Sequence, residues 1–168
     1  MKNNYEKYPS WIIVTTNLFS LVVYVIGFYI ILKLGLIYSI LYLFFCLVLE
    51  FKLIYGHCTQ CYYWGKFCGF GKGKISSLLF KKGDISKFCF KEMTWKDMIL
   101  DFLVVLIPFF IGFILLIINF DWLLLIILIL LILLTIFGNS SIRGLIVCKQ
   151  CKQRSEEHTS ELQSRQVI

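Results

Sequence analysis

The run WLLLIILILLILL, Trp122–Leu134, decides the class of this chain. From Leu123 to Leu134 it contains no polar residue, whereas a soluble helix must show a polar face to water. The rest of the chain agrees. Hydrophobic residues make up 59% of the 168 positions and charged residues 16%, against roughly 45–50% and about 25% in an ordinary soluble domain. Mean hydropathy is +0.81, and the excess falls in blocks, the pattern of bilayer spans.

Upstream of this run, Asn119-Phe120-Asp121 reads as a short polar turn, and Phe137-Gly138-Asn139 reads as the helix C-cap downstream. A third span is expected over residues 99–118, with Pro108 removing a backbone donor and kinking it. Nearer the N-terminus, Ser10 is a candidate N-cap for an apolar stretch over residues 11–32, long enough to cross a ~30 Å hydrocarbon layer. A signal peptide would need a shorter apolar region and a small-residue cleavage site, and Lys33-Leu34-Gly35-Leu36 supplies neither. A second span follows a tight turn and covers residues 36–55, with Glu50 and Lys52 solvated near the interface.

The formal charge of +7 is carried by lysines that border these spans, so a membrane surface is the expected counter-charge rather than nucleic acid. Lys66, Lys72, Lys74, Lys81, Lys82, Lys87, Lys91 and Lys96 all lie in the long loop at 56–98, while the opposite span ends carry only Lys33 and Asp121. Basic loops stay cytoplasmic. The expected fold is therefore an all-α membrane protein over residues 1–153, a four-transmembrane-helix bundle built from two helical hairpins. Its spans cover 11–32, 36–55, 99–118 and 122–138, with both termini and the cysteine-containing loop cytoplasmic.

The C-terminal run from Arg154 to Ser164, RSEEHTSELQS, resembles one reading frame of a short-read sequencing adapter translated into peptide. Residues 154–168 are read as that artefact rather than native sequence, and the natural chain is expected to continue past Gln153. His158 and the carboxylates of Glu156, Glu157 and Glu161 therefore carry no chemistry.

Six of the seven cysteines fall in segments expected to be cytoplasmic, where thiols stay reduced and metal binding outranks disulfides. The seventh, Cys46, reads as a small apolar residue inside the second span. Cys58-Thr59-Gln60-Cys61 follows the second span and Cys148-Lys149-Gln150-Cys151 follows the fourth. Each C-x-x-C pair can wrap one edge of a tetrahedral ion, so Cys58, Cys61, Cys148 and Cys151 are the expected ligands of a structural zinc. Cys68, Cys89 and His57 are possible additional ligands. An iron–sulfur cluster or dithiol redox chemistry is the rival use of the same thiols.

Gly65-Lys66-Phe67-Cys68-Gly69-Phe70-Gly71-Lys72-Gly73-Lys74 is not a phosphate loop. The P-loop needs four residues between its first glycine and the Gly-Lys pair, and Ile75 stands where Ser or Thr would hold magnesium. Ile75, Leu78 and Leu79 share one helical face before Lys81-Lys82. That order fits either a segment lying in the membrane interface or a loop packed on the bundle. Thr15, Thr16, Asn17 and Ser20 form a polar stripe expected to bond to neighbouring helices. No charge lies mid-span, which argues against a coupled transporter. The expected function is non-catalytic: a membrane protein whose metal-organised basic surface meets a protein partner or anionic lipid headgroups. The alternative is a membrane redox protein or enzyme.

Overall fold

The computed structural model describes residues 5–83, 95–147 and 151–152, and these are helical with no strand among them. In chain order they form α1 (Ser10–Leu32), α2 (Leu36–Gly56), a 3₁₀ turn (Cys58–Gln60), α3 (Lys72–Leu79), α4 (Trp95–Ile118) and α5 (Trp122–Leu133). A π-type coil, Leu134–Val147, continues α5. Ser10–Leu32 and Leu36–Gln60 are long and apolar enough to cross a membrane, while the apolar stretches Phe102–Ile118 and Trp122–Gly138 are shorter.

The chain divides into two compact units. One comprises residues 17–52 and 93–140, the other residues 1–16, 53–92 and 141–168.

Within the first unit two apolar clusters share α1 and α4. Val23 and Ile30 pack with Leu124, Leu128 and Leu131 of α5. Ile31 packs with Tyr42, Cys46 and Leu49 of α2 and Val104 of α4. Gly27 permits the second arrangement, because a Cβ there would run into the Tyr42 ring.

The proline in α4 has a specific repair. Pro108 has no N–H, so the carbonyl of Val104, four residues earlier, loses its helical donor. The Tyr42 hydroxyl donates to that carbonyl at 2.9 Å. This is how an adjoining helix re-satisfies a backbone group freed by proline in an apolar setting.

Both tight turns are tied as well. Asp121 caps α5 by accepting the Leu123 N–H at 3.0 Å, and its other oxygen lies 3.6 Å from the Lys33 ammonium. Glu50, expected to be merely solvated, accepts a hydrogen bond from the Tyr24 hydroxyl at 2.5 Å.

One local reading changes. The winding does not end at Gly138-Asn139 but continues to Val147. Gly138 instead meets the Phe19 ring so closely that a Cβ would collide with it. It is a packing glycine, not a cap. A local contact is added at Thr16, whose hydroxyl donates to the carbonyl of Gly69 at 2.7 Å and lies 2.9 Å from the Ile13 carbonyl in its own helix.

Candidate functional site

The second unit is built from three pieces of chain that α1, α2, α4 and α5 separate in sequence. Irregular backbone carries unspent carbonyls and amides, and burial requires that each find a partner. Two tyrosine hydroxyls supply three of these bonds between distant segments. Tyr8 donates from its backbone N–H to the Phe67 carbonyl at 3.0 Å, and from its hydroxyl to the Val147 carbonyl at 2.8 Å. The Tyr63 hydroxyl donates to the Tyr5 carbonyl at 2.6 Å and accepts the Lys152 N–H at 3.0 Å. One parallel bridge pairs Tyr5 with Cys151.

The rings of these residues make the core. Tyr5 and Tyr8 lie 5.4 Å apart, Tyr8 and Tyr63 5.5 Å, Tyr62 and Tyr63 5.2 Å, the last two pairs in edge-to-face geometry. Tyr63 is only 2% exposed. Burial pushes its hydroxyl up to about 12, an effect the bonded Lys152 N–H partly offsets. It is therefore a neutral donor and acceptor at physiological pH. Its neighbour Tyr62 goes the other way: hydrogen bonding to the Lys152 and Lys66 ammonium groups pulls its pKa below the usual tyrosine value. Lys66 stands 4.3 Å and Lys152 4.9 Å from the Tyr62 ring centre, so the loop and the C-terminal segment converge on one ring.

The cysteines lie around this knot. Cys58 belongs to the 3₁₀ turn, and Cys61 ends it in extended conformation. Cys61, Cys68 and Cys151 pack against the cluster formed by Tyr8, Ile12, Tyr63 and Val147. The Cys68 sulfur accepts the Gly73 N–H at 3.4 Å. Among the described residues no disulfide joins Cys58, Cys61, Cys68 or Cys151. His57 opens the turn, its N–H donating to the Leu53 carbonyl at 3.0 Å.

One member of each C-x-x-C pair, Cys61 and Cys151, thus reaches the same aromatic cluster. Among the described residues, no three His, Cys, Asp or Glu side chains converge on a position for an ion. Cys148 and Cys89 lie outside the described residues, as do Lys87, Lys91 and the run at 154–168. The expected four-sulfur set is therefore represented by three of its members.

The tyrosines were not singled out from sequence, although Tyr5, Tyr8, Tyr62 and Tyr63 do stand out as a concentration of rings beside the cysteines and outside the apolar blocks. The chain matches no protein-family model, no curated protein and no solved structure.

Proposed function

We propose that this chain is a four-span membrane protein of two helical hairpins, and that its N-terminal segment, long loop and C-terminal segment together form a cytoplasmic binding unit. The observation that carries the reading is the composition of that unit. Three segments separated by apolar helices fold into one body, which fits spans that return the chain to the same face. The Lys33–Asp121 pair supports the same topology, since it ties the two tight turns to one another.

The outward faces fit lipid. Val14, Leu18, Leu21 and Val25 of α1 are exposed, as are Leu41, Phe44 and Leu47 of α2. So are Phe110, Phe113 and Ile117 of α4 and Ile126 and Ile129 of α5. Apolar exposure on this scale is an interaction surface, and the hydrocarbon of a bilayer meets it on all sides. The lysine bias supports a cytoplasmic loop.

In this reading zinc completes the unit through Cys58, Cys61, Cys148 and Cys151, and the surrounding lysines serve a protein partner or anionic headgroups. The meeting of Cys61 and Cys151 on one cluster supports a shared site. The ion would hold the loop to the C-terminal segment, which is a structural role and not a catalytic one.

Metal analysis of the purified full chain tests the zinc. Cys58→Ser with Cys61→Ser should release it and loosen the loop while the spans still insert. Retained zinc in that double variant would refute the shared site, and visible absorbance of the wild type would favour an iron–sulfur cluster, because zinc is colourless. Impermeant thiol labelling of intact cells should leave Cys68 and Cys89 unmodified; strong labelling would invert the topology.

A further inference from the structure

Helix α3 has its faces reversed for a protein surface in water. Its small residues point inward, with Gly73 buried and Ser76 at 0% exposure. Its large aliphatic residues point outward, Ile75 at 46%, Leu78 at 79% and Leu79 at 56% exposure. Close backbone approach fixes this rotation. A Cβ on Gly73 would collide with the carbonyl oxygens of Tyr63 and Lys66, and the Gly73 carbonyl accepts the Gly65 N–H at 3.0 Å. Turning the aliphatic face inward would break that packing.

The charge along the chain that carries the helix has one sign. From Phe51 to Gly83 there is no Asp or Glu, while Lys52, Lys66, Lys72, Lys74, Lys81 and Lys82 all fall in that stretch. Lys72 and Lys74 occupy the first turn of α3, where the helix dipole is already positive. That turn holds no acidic residue, and Gly71 offers no side-chain cap. The dipole disfavours positive charge at this end, and an anionic surface would offset it. Lys74 also lies 4.7 Å over the ring of the exposed Phe67, and Lys81 and Lys82, both exposed, close the other end.

We propose that α3 is an in-plane anchor that inserts Ile75, Leu78 and Leu79 into an anionic leaflet, with Lys72, Lys74, Lys81 and Lys82 on the headgroups. The proposal rests on the membrane reading above and names the partner of its basic surface. Lipid suits the surface better than a protein does. Eight residues make a helix of about 12 Å, too short a face for the ~1,000 Å² that a specific protein interface buries. Two lysines at each end of an exposed aliphatic face is instead the order of a helix lying in the headgroup boundary.

The test uses the full chain reconstituted in vesicles of phosphatidylcholine alone or of phosphatidylcholine with phosphatidylserine. A photoreactive benzoylphenylalanine replaces Leu78 in one sample and Phe44, exposed on α2, in another. The Phe44 probe should form lipid adducts in both vesicles. The Leu78 probe should do so with several-fold higher yield when phosphatidylserine is present. Since each lysine near an anionic surface contributes roughly fivefold in partitioning, replacing Lys72, Lys74, Lys81 and Lys82 together with Gln should erase that gain. Lipid adducts from Phe44, with protein adducts or none from Leu78, would overturn the anchor and leave the membrane reading standing. No lipid adduct from either probe would overturn both. Equal Leu78 yields in the two vesicles would overturn the assignment to an anionic leaflet.

Discussion

The two units solve one problem, hydrogen bonding of buried backbone, in opposite ways. In the unit of residues 17–52 and 93–140 the helices bond largely to themselves, and side chains mend particular defects: Tyr42 at the carbonyl that Pro108 orphans, Asp121 at the start of α5. In the other unit much of the chain is not helical, and tyrosine hydroxyls join carbonyls and amides far apart in sequence, Tyr8 to Val147 and Tyr63 to Tyr5 and Lys152. The first unit would keep its backbone satisfied in hydrocarbon, where only closed hydrogen-bonding patterns survive. The second depends on a few side chains at once. It should therefore be the part that single substitutions take apart.

The sharpest test is Tyr63→Ala. Removing a buried aromatic ring costs about 3–5 kcal/mol, and here it also removes a donor to Tyr5 and an acceptor from Lys152. Trypsin should then cut rapidly after Lys66, Lys72 and Lys74 while amide exchange over α1 and α2 stays slow. Uniform loosening of both units would erase the distinction drawn here.

A milder probe of the same residue is pH. The Tyr63 hydroxyl is raised to about 12 by burial, while in the unfolded chain it titrates near ~10. Between those values the unfolded state loses its proton first, so stability is whole below pH ~10 and falls as pH rises toward ~12. Amide exchange over residues 57–83 should accelerate in that window, and Tyr63→Phe should flatten the dependence. An unchanged slope in Tyr63→Phe would assign the effect to other groups.

Much of this was legible in the sequence, and the physical reasons divide along the same line. Apolar blocks, the polar turns at Lys33 and Asp121, and the donor missing at Pro108 are all local, so α1, α2, α4 and α5 begin within four residues of the expected spans. Gly138 was misread because a capping glycine and a packing glycine look alike until the Phe19 ring is in place. The shared helical face of Ile75, Leu78 and Leu79 was legible, but its outward orientation depends on the contact of Gly73 with the Tyr63 and Lys66 carbonyls. Tyr8 and Tyr63 left no periodic signal, because their partners are backbone atoms of other segments. The C-x-x-C spacing marked Cys58, Cys61, Cys148 and Cys151, but not that Cys61 and Cys151 would join Cys68 around the tyrosines.

In the helical unit the corresponding repair should be worth less. Tyr42→Phe leaves the Val104 carbonyl unbonded and should cost about 1–2 kcal/mol, within the range for buried acceptors and for interhelical bonds in membranes. Pro108→Ala restores the helical donor, so the same Tyr42→Phe change should cost almost nothing in that background. Denaturant titration of the four combinations gives the coupling. Additive costs would mean that the hydroxyl does not stand in for the missing N–H.

The smallest effect is expected where the two hairpin turns meet. Lys33 and Asp121 are 3.6 Å apart with side chains 44% and 42% exposed, so the pair should stabilise by only about 0–1 kcal/mol and fade with salt. Its value is geometric rather than energetic. Lys33→Glu should lose a few tenths of a kcal/mol at low salt, both through the missing pair and through repulsion from Asp121. Asp121→Lys weakens the α5 cap as well as the pair, so by itself it should cost more, about 1 kcal/mol. Combined, the two changes rebuild an ion pair with its sign reversed, and the recovery relative to the sum of the single variants isolates the attraction between turns. That recovery should shrink as ionic strength rises. Zero coupling at low salt would place the turns beyond each other's reach and remove the support they lend to the proposed hairpin topology.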